Sequence, residues 1–149
     1  MSEAVTVRPL QAADGAAWER LYQGYAALYK VAQTAEMRAR VWGWLMDERH
    51  EMTGLVAQKD GALVGLAHVR PFARPLSATV GGYLDDLFVD PAARGAGVAD
   101  ALFAAIKAEG QARGWSVIRW ITADDNYRAR SVYDRLAERT KWITYDMKV

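Results

Sequence analysis

The sequence contains no cysteine. That excludes disulfides, thiolate metal sites and a cysteine nucleophile able to carry an acyl group. Histidine is scarce: His50 and His68 are the only two, so metal binding is not expected. The formal net charge is only +1, from 19 basic and 18 acidic residues. Such a balance gives no broad field to attract nucleic acid or an anionic membrane. No stretch approaches the ~20 apolar residues needed to cross a bilayer. The start, Met1-Ser-Glu-Ala-Val-Thr-Val-Arg8, has no apolar run behind a basic segment, so no signal peptide is expected. These absences predict a cytoplasmic protein with no metal, no nucleic-acid partner and no membrane partner. Repeats, low-complexity tracts and linkers are also missing, and 149 residues suit one domain, 1–149.

What is present is apolar and aromatic. The apolar fraction is 52%, with six Trp and seven Tyr, enough for a globular core. Val5 and Val7 alternate with Thr6 and Arg8 as in a short strand. Asp14 is placed to cap a helix in which Trp18, Leu21, Tyr22, Tyr25, Leu28 and Tyr29 form one aromatic stripe. A second helix is predicted after Thr34, with Met37, Val41, Trp44 and Leu45 on one face. Strands over 53–59 and 62–70 flank Asp60-Gly61, a hairpin signal. Pro71 and Pro75 read as the bounds of an irregular loop. A strand over 80–89 leads through Arg94-Gly95-Ala96-Gly97 into a helix bearing Val98, Leu102, Ala105 and Ile106, closed by Arg113-Gly114. A strand over 117–122, parallel to the one over 80–89, precedes a short helix carrying Ala129, Val132, Tyr133 and Leu136. A final strand is predicted over 142–149. The order β-α-α-β-β-β-α-β-α-β is that of an α/β protein with a mixed sheet.

The chemistry concentrates where the strand over 80–89 meets the glycines. Glycine lets the backbone approach a ligand closely. The first amides of the following helix lack intrahelical partners, and the helix dipole favours an anion there. Arg94 can add charge-assisted contacts to phosphate oxygens. The loop is therefore either a diphosphate cradle or a softened strand-to-helix turn. It is no Walker loop, since no Lys-Ser/Thr follows, and it lacks the third glycine of a dinucleotide fingerprint.

Arg94-x-x-Gly97-x-Ala99 resembles the acetyl-CoA signature of the GNAT superfamily of N-acetyltransferases, Gln/Arg-x-x-Gly-x-Gly/Ala. Leu87-Phe88-Val89-Asp90-Pro91 is similar to that family's fourth strand. Asn126-Tyr-Arg-Ala129-Arg-Ser-Val-Tyr133 is similar to its Asn-x-x-Ala-x-x-x-Tyr motif. The resemblance implies a GNAT fold, a mixed six- to seven-stranded sheet flanked by helices and splayed between its fourth and fifth strands. It also implies acetyl-CoA as acyl donor. Backbone groups of Leu87, Phe88 and Val89 would pair with pantetheine. Arg94 and the amides of Gly95, Ala96, Gly97, Val98, Ala99 and Asp100 would hold the pyrophosphate. Asn126 would contact the cofactor arm beside Ala129, and Tyr133 would lie near the thioester sulfur.

With no cysteine, direct attack of an amine within a ternary complex is the simplest mechanism, and proximity supplies much of the rate. An alkylammonium with pKa ~10 must first lose a proton, and the departing thiolate benefits from a donor. Tyr133 suits the second role, or is a core tyrosine at helical spacing. For the first, Tyr83-Leu-Asp85-Asp86-Leu87-Phe88-Val89 carries two acids in an apolar strand, which are costly to bury without purpose. Alternation puts Asp85 and Asp86 on opposite faces. The run resembles the Tyr-Leu-Glu-Asp-Phe-Phe-Val strand of spermidine/spermine acetyltransferases, whose first acid helps deprotonate the acceptor. That likeness implies Asp85 as base. His68 or water are alternatives, and Asp86 is expected to pair with an arginine.

The acceptor is expected to be a polyamine, another small amine or a lysine side chain. Tyr22, Tyr25, Tyr29, Trp42 and Trp44 could line its pocket, since aromatic faces attract ammonium groups, with Glu19, Glu36, Asp47, Glu48 and Glu51 nearby. Rival readings are a non-catalytic acyl-CoA-binding regulatory module and an acetyltransferase acting on a protein N-terminus or an antibiotic. Many GNAT members have Gly-Phe after the short helix. Here Leu136-Ala-Glu-Arg-Thr140-Lys-Trp142 stands in its place and is more similar to the end of small yeast-type histone and polyamine acetyltransferases. Trp142, Ile143 and Tyr145 on a terminal strand point to a homodimer interface, or to an ordinary last strand packed on its own sheet.

Overall fold

In the computed structural model, which describes residues 4–149, the chain builds one five-stranded sheet with helices on both faces. The leaderless start expected at Met1–Glu3 lies outside the described residues. Strand β1 (Thr6–Pro9) is followed by helices α1 (Gly15–Leu28) and α2 (Ala35–Met46). Next come β2 (Thr53–Lys59), β3 (Ala62–Arg74), β4 (Thr79–Val89), α3 (Val98–Arg113), β5 (Ile118–Arg119) and α4 (Tyr127–Leu136). The spatial order is β1-β2-β3-β4-β5. The first four strands are antiparallel neighbours, and β5 runs parallel to β4.

Alternation along β2 to β4 feeds two cores. On one face Leu55, Ala57, Ala67, Val69 and Leu84 meet Val98, Leu102, Phe103 and Ile106 of α3. On the other, Val56, Leu63, Leu66 and Phe88 meet Trp18, Leu21 and Tyr22 of α1. Leu102 and Ile106 are fully enclosed, where truncation to alanine typically costs about 2–5 kcal/mol. The expected stripe of α1 is buried through Tyr22, while Leu28 and Tyr29 are exposed. On α2 the inward tryptophan is Trp42, 5.1 Å from Trp18, whereas Trp44 and Met37 face out.

Several expectations are corrected. The sheet has five strands among the described residues, not six or seven. Asp14 does not cap α1: its carboxylate takes a two-pronged ion pair from Arg8 at 2.8 and 2.9 Å. Thr34 does cap α2, accepting from the Met37 amide. The segment from Pro71 to Arg74 is not a loop but the end of β3, paired with Thr79–Gly82. The β2 ladder stops at the Thr53–Val69 pair, so β3 is an edge from there on, where a missing proline donor is tolerated. The strand expected over 117–122 shrinks to Ile118–Arg119, paired only with Gly82 and Tyr83. The strand expected over 142–149 does not form. Trp142, Ile143, Tyr145, Met147 and Val149 are all exposed.

Candidate active site

Because β5 leaves β4 after two ladder pairs, residues 84–89 of β4 have a free edge. That opening is a pocket of about 720 Å³. Its strand wall is Leu87, Phe88 and Val89. Its floor is the turn into α3, with Arg94, Gly95, Gly97, Val98, Ala99 and Asp100. The far wall is α4, with Asn126, Ala129 and Tyr133. All the residues that the motifs pointed to for cofactor contact thus line one cavity, except Ala96, which packs on the α3-side core.

The floor has the chemistry of an anion cradle. Gly95 and Gly97 have φ of 83° and 78°, the left-handed region that glycine enters without strain. A Cβ at either would meet nothing within 4 Å, so the cavity comes right up to the backbone. Gly97 precedes α3 and offers no side chain to cap it. The first amides of α3 are therefore left for a ligand, at the positive end of the helix dipole. Six further lining residues escaped the motif reading: Leu28, Tyr29, Ala93, Arg128, Val132 and Arg135. The two arginines belong with Val132 to one face of α4 at spacings of four and three, a helical pattern visible in the sequence. Arg135 also reaches Asp100 at 3.5 Å, tying α4 to the start of α3. An elongated phosphorylated ligand such as a CoA thioester fits these walls. Asn126 has a local task as well, since its Oδ1 accepts from the Ala129 amide and caps α4.

Tyr133 stands half-buried on the α4 wall, edge-on to Trp120 and Phe103. Burial, and then the nearby Tyr29 hydroxyl, push its pKa up. It stays protonated at neutral pH and can donate.

The two acids of β4 do not lie on opposite faces. The β3–β4 register pairs His68 with Asp86 but Val69 with Leu84, leaving Asp85 as the extra residue of a β-bulge. Both carboxylates reach partners on β3 two residues apart, His68 and Arg70, which share a face. Nor does Asp86 take the arginine. Arg70 donates to Asp85 at 2.8 Å. Asp86 Oδ2 accepts from His68 Nδ1 at 2.8 Å and from the Tyr22 hydroxyl at 2.9 Å. Trp18 Nε1, which can only donate, meets His68 Nε2 at 3.0 Å. The network therefore assigns the imidazole proton to Nδ1, facing Asp86. His68 is fully buried and has both ring nitrogens occupied. His50 stacks on Trp44, and its Nδ1 accepts from the Met52 amide.

The two acids are tuned in opposite directions. Burial raises Asp85, and Arg70 only partly offsets it. Burial also pushes Asp86 upward, but His68, Tyr22 and Tyr25 outweigh it, so Asp86 ends below the usual carboxylate range. Of the expected acceptor-side groups, Tyr22 and Trp42 pack in the α1-side core, and Glu19 pairs with Arg38.

Residues 18–137 match the Acetyltransferase (GNAT) family. The chain belongs to that family and is an acetyltransferase of the GNAT type. Among its relatives, D-amino-acid N-acetyltransferase HPA3 of Saccharomyces cerevisiae is 23% identical over 97% of this chain and 91% of its own length. The uncharacterized N-acetyltransferase YhfO of Bacillus subtilis is 30% identical over 97% of this chain and 98% of its own. In structure, the aminoglycoside N-acetyltransferase AAC(6')-Iy, solved with a CoA-linked bisubstrate analogue, superposes with a TM-score of 0.86 at 18% identity, covering 99% of both chains. A ribosomal-protein-alanine N-acetyltransferase from Brucella melitensis gives 0.82 at 23% identity, covering 99% of this chain and 100% of its own. At those identities the likeness is one of fold. Among the described residues no helix is long and apolar enough to cross a membrane.

Proposed function

We propose that the whole chain, 1–149, is one catalytic domain that transfers acetyl from acetyl-CoA to a primary amine by direct attack within a ternary complex. The observation that carries this is the cavity itself, which joins a glycine-opened helix N-terminus, the free edge of β4 and a protonated tyrosine in one continuous space. Acetyl-CoA supplies the acyl group as a thioester. Arg94, Arg128 and the first amides of α3 hold its phosphates. The backbone of Leu87 to Val89 pairs with its arm as an added strand would. Tyr133 keeps a proton available for the thiolate, and Asp85 takes the proton of the incoming ammonium. Asp85 fits that task better than Asp86 does, since its raised pKa favours accepting a proton. Asp86, held by His68 and Tyr22, orients the bulge.

The acceptor class is a polyamine, another small amine or a lysine side chain. The relatives' names, for D-amino acids, aminoglycosides and ribosomal-protein alanine, all belong to amine-bearing acceptors. The unpaired apolar end of the chain supports a homodimer.

The test is release of CoA from acetyl-CoA in the presence of spermidine, short diamines, lysine, a histone-tail peptide and an aminoglycoside. Turnover with any of them establishes the transferase. Thermal stabilisation by acetyl-CoA with no turnover favours the acyl-CoA-binding regulatory module. Neither stabilisation nor turnover would sink both readings.

A further inference from the structure

Helix α1 carries three phenols on one face, Tyr22, Tyr25 and Tyr29, at spacings of three and four. The Tyr22 and Tyr25 rings lie 6.0 Å apart, and those of Tyr25 and Tyr29 lie 5.0 Å apart. The first two are committed to the sheet. Tyr22 donates to Asp86 at 2.9 Å, while Tyr25 helps to hold the same carboxylate and meets Phe88 edge to face. Tyr29, the last of the row, instead lines the cavity and is 47% exposed. The end of α1 holds it there. The Lys30 amide returns to the Ala27 carbonyl and the Val31 amide to that of Ala26. That closure puts Lys30 in the left-handed region, at φ 56°.

Tyr133 enters the same cavity from α4, half-buried against the edges of Phe103 and Trp120. When it protonates the departing thiolate, its Oη–H bond breaks, an S–H bond forms and a phenolate is left. Burial disfavours that charge, and a hydrogen bond donated to it offsets the penalty. The other ionisable side chains that line the cavity are Tyr29, Arg94, Asp100, Arg128 and Arg135. Of these, Tyr29 is the one close enough to act on the Tyr133 hydroxyl. A phenol suits that place better than an arginine does. A fixed cation beside Tyr133 would favour its ionised form at rest, whereas a hydroxyl donates without bringing charge.

We infer that Tyr29 is a positioning residue for the acyl transfer, its hydroxyl donating to Tyr133 Oη, directly or through one water, as Tyr133 protonates the leaving thiolate. This rests on the transferase reading above and adds a second phenol to it. The Tyr29 proton stays on Tyr29. What it supplies is a hydrogen bond that strengthens as charge appears on Tyr133, so the help comes in the transition state rather than at rest. Tyr133 regains its proton from water once CoA has left, which closes the cycle.

The experiment is a double-mutant cycle on the full chain, read as CoA release from acetyl-CoA with spermidine, short diamines and lysine as acceptors. Tyr29→Phe keeps the ring that packs on Tyr25 and removes only the hydroxyl. It should lower kcat roughly tenfold or more, the scale of one hydrogen bond to a charged group, with the KM for acetyl-CoA and the melting temperature unchanged. Added to Tyr133→Phe, which forms no phenolate, the same substitution should change the residual kcat by less than about twofold. An unaltered kcat in Tyr29→Phe overturns the inference and leaves the transferase standing. So do losses that multiply in the double variant, because Tyr29 would then act independently of Tyr133. A raised acetyl-CoA KM at unchanged kcat also overturns it, reducing Tyr29 to a wall of the cofactor cavity. If the wild-type chain releases no CoA with any of these amines, the inference falls together with the transferase.

Discussion

A departing thiolate needs a proton, and Tyr133 is kept in its donor form by burial and by Tyr29. Tyr133→Phe removes the proton and little volume. General acid catalysis is worth roughly 10²–10⁴-fold, so kcat should fall within that range while the affinity for acetyl-CoA stays close to wild type; steady-state rates and a direct binding titration separate the two. Asp85 sets the acid limb. A base must be deprotonated, and burial raises Asp85, so kcat/KM should decline on acidification at a pH above the ordinary carboxylate value of about 3.9. Asp85→Asn should abolish that limb along with most of the rate. Asp86 behaves oppositely. Its folded-state pKa is depressed, so its stabilising contribution is present above the unfolded value and lost as pH falls through the folded one. Thermal unfolding of Asp86→Asn against wild type should show a deficit at neutral pH that shrinks progressively as pH falls below the ordinary carboxylate value of about 3.9. A constant deficit across that range would mean that packing, rather than charge, is what the substitution removes.

Strand β4 shows what is legible in a sequence and what is not. Its apolar run, the glycine turn after it and the α3 stripe could be read from residue type and period, because each is a local consequence of backbone geometry. The Asp60-Gly61 hairpin was readable for the same reason, and the parallel pairing of β5 with β4 was readable from the helix α3 that connects them. The bulge at Asp85 was not. It is settled by which residues of β3 lie opposite, and one extra residue moved Asp85 to the face of Asp86 and gave it Arg70. The short length of β5 was equally hidden, since 117–122 is rich in β-branched and aromatic residues over its whole length and only the splay from β4 ends its ladder. Where β4 and β5 do pair, the fit is tight. A Cβ on Gly82 would collide with the Trp115 ring. Gly82→Ala must therefore push Trp115 and the β5 entry outward, a form of overpacking that typically costs about 1–3 kcal/mol. Because β5 defines one side of the opening, acetyl-CoA affinity should weaken along with the melting temperature. Loss of stability at unchanged affinity would show that the opening is set by α4 instead.

At the scale of the whole chain, the unformed strand over 142–149 is the feature that a lone copy does not account for. Ile143, Tyr145, Met147 and Val149 alternate with Thr144, Asp146 and Lys148, a strand with one apolar face. All four apolar members are exposed, at 73%, 84%, 88% and 122%. Burying each is worth roughly 1.5–3 kcal/mol, so leaving the face in water forgoes a substantial stabilisation. β5 offers a complementary surface: it closes the sheet with an unpaired outer edge, flanked by the exposed Val117 and Ile121. An amphipathic strand and an open edge on the same chain satisfy each other when two copies exchange tails about a two-fold axis, and such an exchange needs no new element. The expected outcome is a full-length protein that sediments as a dimer and a chain ending at Lys141 that sediments as a monomer. Ile143→Arg with Tyr145→Asp should shift the full-length chain the same way, by placing charge on the face that must be covered. Acetyl-CoA binding should survive in both, because every wall of the cavity lies within residues 28–135. A full-length chain that stays monomeric at micromolar concentration would mean that the tail is covered by something other than a second copy.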